Sequence, residues 1–123
     1  MAVERLTEEA TPLDLAHKIV DLAADRQAVD VVLLDIREVA AFADYFVVCS
    51  GTSERQIKAI VDTVLETLER DGFNAAHVEG TPSSGWVLVD FGSVILHVFA
   101  PAERDYYRLE RLWSGATTVV RLQ

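Results

Sequence analysis

The chain carries few groups able to do covalent or metal chemistry, and their spacing decides what chemistry is open to them. Ser50-Gly51 follows an apolar run of strand length and precedes a run with helical periodicity. A turn of this kind can aim backbone N–H groups at a phosphate, so nucleotide binding and nucleotidyl transfer form one reading. Metal-dependent transfer also needs clustered carboxylates to hold Mg²⁺ against a triphosphate. The segment Asn74-Ala75-Ala76-His77-Val78-Glu79 has no paired aspartates, and Asp90 stands alone on its strand face. No lysine follows Gly51, so the turn is not a P-loop. His17, His77 and His97 fall on different segments without ligand spacing, and Cys49 is the one thiol that could join them. Within Phe46-Val47-Val48-Cys49 that thiol reads as a small buried hydrophobe rather than a nucleophile. The expectation is a binding protein, not an enzyme, with no cofactor and no metal.

The elements that position these groups follow from the apolar spacing. Thr11-Pro12-Leu13-Asp14 opens a helix, with threonine at the cap, proline at the first position and aspartate facing the positive helix end. Leu13, Ala16, Val20 and Ala23 form its apolar stripe, widened by Ile19 and Leu22, and the helix should end near Ala28. Val31 to Ile36 and Asp44 to Ser50 read as buried strands. Ser53 and Gln56 form a capping box ahead of Ile57, Ile60, Val61, Val64, Leu65 and Leu68, all at helical spacing. Gly72 sits where a left-handed C-terminal cap belongs. A third strand from about Asn74 to Glu79 leads into the loop Gly80 to Gly85. After Pro101 a short helix is expected from about Glu103 to Trp113, and the tail Gly115 to Gln123 either adds a short edge strand or stays loose. The expected class is α/β: a mixed five-stranded sheet with two long helices and a short C-terminal helix. The element order breaks the alternation of a doubly wound parallel sheet.

Between Trp86 and Phe99 the register can be worked out. Gly92-Ser93 suits a two-residue turn with glycine first. That turn sets Phe91 opposite Val94, Val89 opposite Leu96 and Val87 opposite Val98, an apolar core face. The other face holds Trp86 opposite Phe99, Leu88 opposite His97, and Asp90 opposite Ile95. It is apolar and aromatic with two polar handles, and Asp90 and His97 are diagonal neighbours within reach of a hydrogen bond or ion pair. Such a pair either satisfies itself under a covering helix or orients an exposed recognition surface.

The net charge of −9 excludes more than the composition does. A domain that grips nucleic acid by neutralising phosphates carries a basic surface, so if this one works on a nucleoprotein machine it should grip a basic protein component. The plainer reading of the charge alone is a solvated acidic surface that keeps the protein soluble. From Ala100 to Gln123 four arginines face three carboxylates, so the remainder carries −10. No apolar run approaches the roughly 18 residues of a membrane span. Met1 to Thr11, with Glu4, Arg5, Glu8 and Glu9, does not resemble a secretory signal. The lone cysteine fits a reducing setting, and the expectation is a cytoplasmic single domain over 1–123.

Three blocks then carry a family likeness. They are Ala43 to Ser53 with Arg55-Gln56, Gly85 to Gly92 followed by Val94 to Phe99 with His97 inside, and Arg104 to Trp113. In this order they resemble the signature of the Iojap or ribosomal silencing factor family, over about Leu13 to Trp113. Ser93 stands where that family usually has aspartate, and Phe91 replaces a frequent tyrosine. The resemblance implies a fold similar to nucleotidyltransferases and a protein that represses translation in stationary phase or starvation. It implies binding to the large ribosomal subunit through large-subunit ribosomal protein fourteen, with the small subunit kept from joining. On this basis the expected partner-binding residues are Trp86, Leu88, Asp90, Ile95, His97, Phe99, Tyr106, Tyr107 and Trp113. A homodimer closed through the same patch is a further expectation. The rival reading is a nucleotidyltransferase-like nucleotide-binding enzyme.

Overall fold

The computed structural model describes residues 6, 7 and 9–123; residues 1–5 and 8, which include Glu4, Arg5 and Glu8, lie outside the described residues. The elements run α1 (Pro12–Asp25), β1 (Val29–Asp35), β2 (Tyr45–Ser50), α2 (Glu54–Arg70), β3 (His77–Glu79), β4 (Trp86–Asp90), β5 (Val94–Phe99), α3 (Pro101–Tyr107), α4 (Leu109–Leu112) and β6 (Thr117–Leu122). Among the described residues the strands form one sheet in the order β3-β4-β5-β2-β1-β6. The β2–β5 pair is parallel and the others are antiparallel, so the sheet is mixed. It has six strands, not five. The tail pairs with β1 from Val31↔Leu122 to Asp35↔Thr117 and becomes an edge strand.

Local chemistry explains the long helices. Thr11 Oγ1 accepts from the Asp14 N–H at 3.1 Å while the Asp14 carboxylate accepts from the Thr11 N–H at 2.9 Å, so α1 begins in a closed capping box. It ends at Asp25, short of Ala28, because Gln27 turns left-handed at φ 60°. The N–H groups of Gln27 and Ala28 then bond back to Ala24 and Ala23, the usual way to satisfy terminal carbonyls. The start of α2 departs from expectation. Ser53 accepts from the Gln56 N–H at 3.1 Å, but the Gln56 side chain does not return the bond. Its Oε1 accepts from the Thr52 N–H at 2.7 Å, and its Nε2 donates to the Gln27 carbonyl at 2.8 Å. Half the capping box is given up so that one amide ties the start of α2 to the end of α1. Gly72 takes the left-handed position (φ 91°) expected after α2.

Both long helices pack on one sheet face. Ile57, Ile60, Val64 and Leu68 of α2 join Ala16, Ile19 and Ala23 of α1 over Val47, Val87, Val89, Leu96 and Val98. Each fully buried aliphatic side chain contributes roughly 1.5–3 kcal/mol, so this layer holds most of the burial. Lys18 and Asp71 form an ion pair at 3.4 Å inside it, and the Asp71 carboxylate also accepts from the Leu6 N–H at 3.0 Å.

A second core lies on the opposite face, built from Val32, Leu34, Phe46, Val48, Ile95 and Phe99 under Leu109 and Trp113. The C-terminal helix expected over Glu103 to Trp113 is two helices. Arg108 adopts a left-handed conformation (φ 48°, ψ 56°), so α4 turns away from α3. That break lets Leu109 be buried while the preceding Tyr106 stays in water.

Candidate functional site

The second sheet face divides into a covered part and an open part. The register sets Glu79 beside Leu88, Leu88 beside His97, and His97 beside Val48. A neighbouring row runs His77, Asp90, Ile95 and Phe46. The hairpin register is the one derived from Gly92-Ser93, from Trp86↔Phe99 to Asp90↔Ile95. Along both rows burial falls from the middle of the sheet towards β3. Ile95, His97 and Phe99 are buried, Trp86, Leu88 and Asp90 are half-buried, and His77 and Glu79 are exposed.

This gradient sets the depth of each expected site residue. Ile95, His97 and Phe99 lie beneath the surface. Trp113 meets the Phe46 ring edge-on at 5.7 Å between centroids and closes the second core. Tyr107 is 43% exposed and sits 4.5 Å from Trp86, ring centre to ring centre, while Tyr106 is 80% exposed. Trp86 stacks on Phe99 at 5.0 Å, so it is both packing and surface. What stays open on this face is the strip Trp86, Leu88 and Asp90, with Tyr107 on one side, Glu79 on the other, and Tyr106 exposed beside Tyr107.

The diagonal pair of Asp90 and His97 does not form. Asp90 Oδ1 accepts from the Gly92 N–H at 2.7 Å and holds the hairpin turn instead. His97 Nδ1 accepts from Trp86 Nε1–H at 3.2 Å, which puts the ring proton on Nε2. Nε2 is buried and has no partner among the described residues. Burial among Phe46, Trp86 and Phe99 pushes the His97 pKa down to about 4, so the ring is neutral at pH 7. Its bond fixes the indole plane of Trp86.

The Ser50-Gly51 turn is spent on internal contacts. The Gly51 N–H bonds the Phe99 carbonyl at 2.9 Å and the Thr52 N–H bonds Gln56. Ser50 is buried, and its hydroxyl accepts from Arg104 Nη1 at 3.0 Å. A phosphate approaching here would find the Gly51 and Thr52 N–H donors already engaged. The cleft beside it, about 550 Å³, is lined by Asp30, Ser50, Thr52, Arg104, Glu110 and Arg121 among others. Arg104 also donates to the Asp30 carbonyl at 2.6 Å and to Glu110 at 2.6 Å, and Arg121 pairs with Asp30 at 3.1 Å. This network clamps α3, α4 and β6 to the start of β1. Among the described residues no group of three or more His, Cys, Asp or Glu side chains gathers as a metal would need. Cys49 is fully buried, and desolvation pushes its thiol up to about 12.

Sequence reasoning missed this network and the flanking Glu79. Arg104 reaches back across 74 residues to Asp30, a separation that no local periodicity reports. The β-branched run Thr117-Thr118-Val119-Val120 was the available signal for β6.

Fold and face together define a small α/β domain with a mixed sheet and an acidic, aromatic strip on its second face. Residues 8–123 match the family model described as "Ribosomal silencing factor during starvation", a match that takes in the tail beyond Trp113. The chain is 40% identical over 107 residues to a ribosomal silencing factor of Halalkalibacterium halodurans, covering 87% of this chain and 89% of that one. It is 30% identical over 112 residues to the chloroplastic Iojap protein of Zea mays, covering 91% of this chain and 49% of that longer one. A crystal structure of a Chromobacterium violaceum protein superposes with a TM-score of 0.82 at 33% identity, covering 90% of this chain and 94% of that one. The chain belongs to the ribosomal silencing factor family. The name ribosomal silencing factor, carried by relatives such as that of Halalkalibacterium halodurans, describes a regulatory role, not an enzymatic one.

Proposed function

We propose that this protein silences translation by occupying the large ribosomal subunit. It docks on large-subunit ribosomal protein fourteen, and its bulk then keeps the small subunit from joining. The observation that carries this reading is the open strip of the second sheet face. Trp86 and Leu88 are half-exposed apolar groups on a rigid strand, flanked by the carboxylates of Glu79 and Asp90 on a protein of net charge −9. A basic protein is the partner such a surface steers towards itself, and rigid aromatic anchors are the usual hot spots. No bond need be made or broken, because simple occupancy is sufficient. The N–H groups of Gly51 and Thr52, already engaged, support a binder over a nucleotide-using enzyme.

The test is light scattering of purified large and small subunits mixed after the large subunit has been incubated with the protein. Joining should fall in step with the bound fraction. Large subunits saturated with the protein that still join at the normal rate would overturn the steric part of the proposal.

A further inference from the structure

The open strip ends in a cleft of about 440 Å³ lined by Glu79, Gly80, Ser84, Trp86, Leu88 and Tyr107. Two walls are aromatic: the Trp86 and Tyr107 rings are tilted by 46° and present faces and edges to the same space. Leu88 forms the floor next to Glu79, its register partner on β3. The polar groups differ in what they have left to offer. The Ser84 hydroxyl is engaged with the carbonyls of Thr81 and Trp86 at 2.7 and 3.1 Å. Glu79 meets His77 at 3.1 Å in a pair that is 56% and 68% exposed, which water can replace at little cost. The carboxylate of Glu79 is therefore the acceptor available to an incoming group.

We infer that this cleft seats one arginine or lysine side chain of the protein partner. The aliphatic stem lies along Leu88 and Trp86, and the charged end sits over the aromatic rings within reach of Glu79. Long basic side chains suit such a place because they carry an apolar stem and a cationic head together. Ring faces attract the cation and the carboxylate adds a charge-assisted acceptor. Charge complementarity selects this occupant over a phosphate, which would meet Glu79 on a protein of net charge −9. A purely apolar side chain would leave the carboxylate desolvated without a partner. The inference rests on the docking reading above and names the chemistry that the strip recognises.

The experiment is equilibrium co-sedimentation with purified large subunits at low and high salt. It compares wild type, Glu79→Gln and Glu79→Lys, each first shown to melt like wild type. Glu79→Gln should bind about fivefold or more weakly at low salt. Glu79→Lys should bind more weakly still, and both differences should shrink at high salt. Variants that bind like wild type at low salt, or losses that ignore salt, would mean that an apolar group fills the cleft and the inference is wrong. The docking reading is judged separately, by whether wild type sediments with the subunit at all. If it does not, both fall.

Discussion

Replacing Arg104 with methionine tests what holds the C-terminal helices on the sheet. The guanidinium is only 11% exposed, and its Nε and Nη2 donate to Glu110 Oε1 at 3.0 and 2.6 Å. Nη1 donates to the Asp30 carbonyl and to the Ser50 hydroxyl, and the Asp30 carboxylate lies 3.4 Å away. Methionine keeps an apolar stem and deletes the charge. Removing one member of a buried pair costs roughly 3–5 kcal/mol, because the remaining charge is stranded. Glu110 and Asp30 keep 26% and 34% side-chain exposure, so water recovers part of that loss. The expected cost is about 2–4 kcal/mol, which a domain stable by roughly 5–15 kcal/mol survives. At about 4 °C per kcal/mol the melting temperature should fall by roughly 8–16 °C. Hydrogen exchange should rise first in α4 and β6, with the interior of α1 and α2 still protected. Adding Glu110→Gln should restore part of the stability, since the stranded carboxylate is gone. A melting temperature within about 2 °C of wild type, or exchange that rises evenly across the chain, would refute the clamp.

Three further outcomes follow from the geometry. Gly80→Ala should cost at least about 2 kcal/mol, because φ is +83° and the new Cβ would sit 2.0 Å from the Trp86 carbonyl oxygen. Gly92→Ala, at φ +90° with no atom within 4 Å, should cost only about 1 kcal/mol, and urea denaturation separates the two. The depressed pKa of His97 makes folding stability fully present above pH 6.5 and lost as pH falls towards about 4, by roughly 3 kcal/mol at most. His97→Gln should flatten that component, and matching pH slopes for the two proteins between pH 7 and 5 would contradict it. Trp86→Ala should lower both stability, by about 2 kcal/mol through its lost stacking on Phe99, and large-subunit affinity; calorimetry and co-sedimentation together check the double effect.

What could be read from the sequence follows from how local each signal is. The hairpin register was legible because a two-residue turn at Gly92-Ser93 sets every cross-strand pair after it. The interior of α2 was legible because its apolar residues keep helical spacing from Ile57 to Leu68, about three turns. The second sheet face was not, since Phe46, Ile95 and Phe99 are as apolar as the core face and give no sign of what covers them. Covering depends on Arg108, whose left-handed backbone divides the last helix in a way its residue type does not announce. β6 was ambiguous because an edge strand that exposes Thr117, Thr118 and Val119 lacks a clean alternation. The depth of the candidate site residues was not legible: Ile95, His97 and Phe99 are buried, while Trp86, Leu88 and Asp90 are half-buried. Nor was the partner of Asp90: diagonal neighbours can reach each other, but the nearer Gly92 N–H takes the carboxylate first.

The central claim is that the open strip of β4 meets the large subunit, and one binding comparison tests it most directly. Leu88→Arg places a cation in the middle of the strip, while Glu66→Gln changes the net charge by the same amount on the exposed side of α2. Both variants should be confirmed as folded by circular dichroism and then titrated against purified large subunits by co-sedimentation. Docking through the strip predicts at least a thirtyfold loss of affinity for Leu88→Arg, about 2 kcal/mol, and wild-type binding for Glu66→Gln. Folded Leu88→Arg that binds as tightly as wild type would contradict the account and move the recognition surface elsewhere.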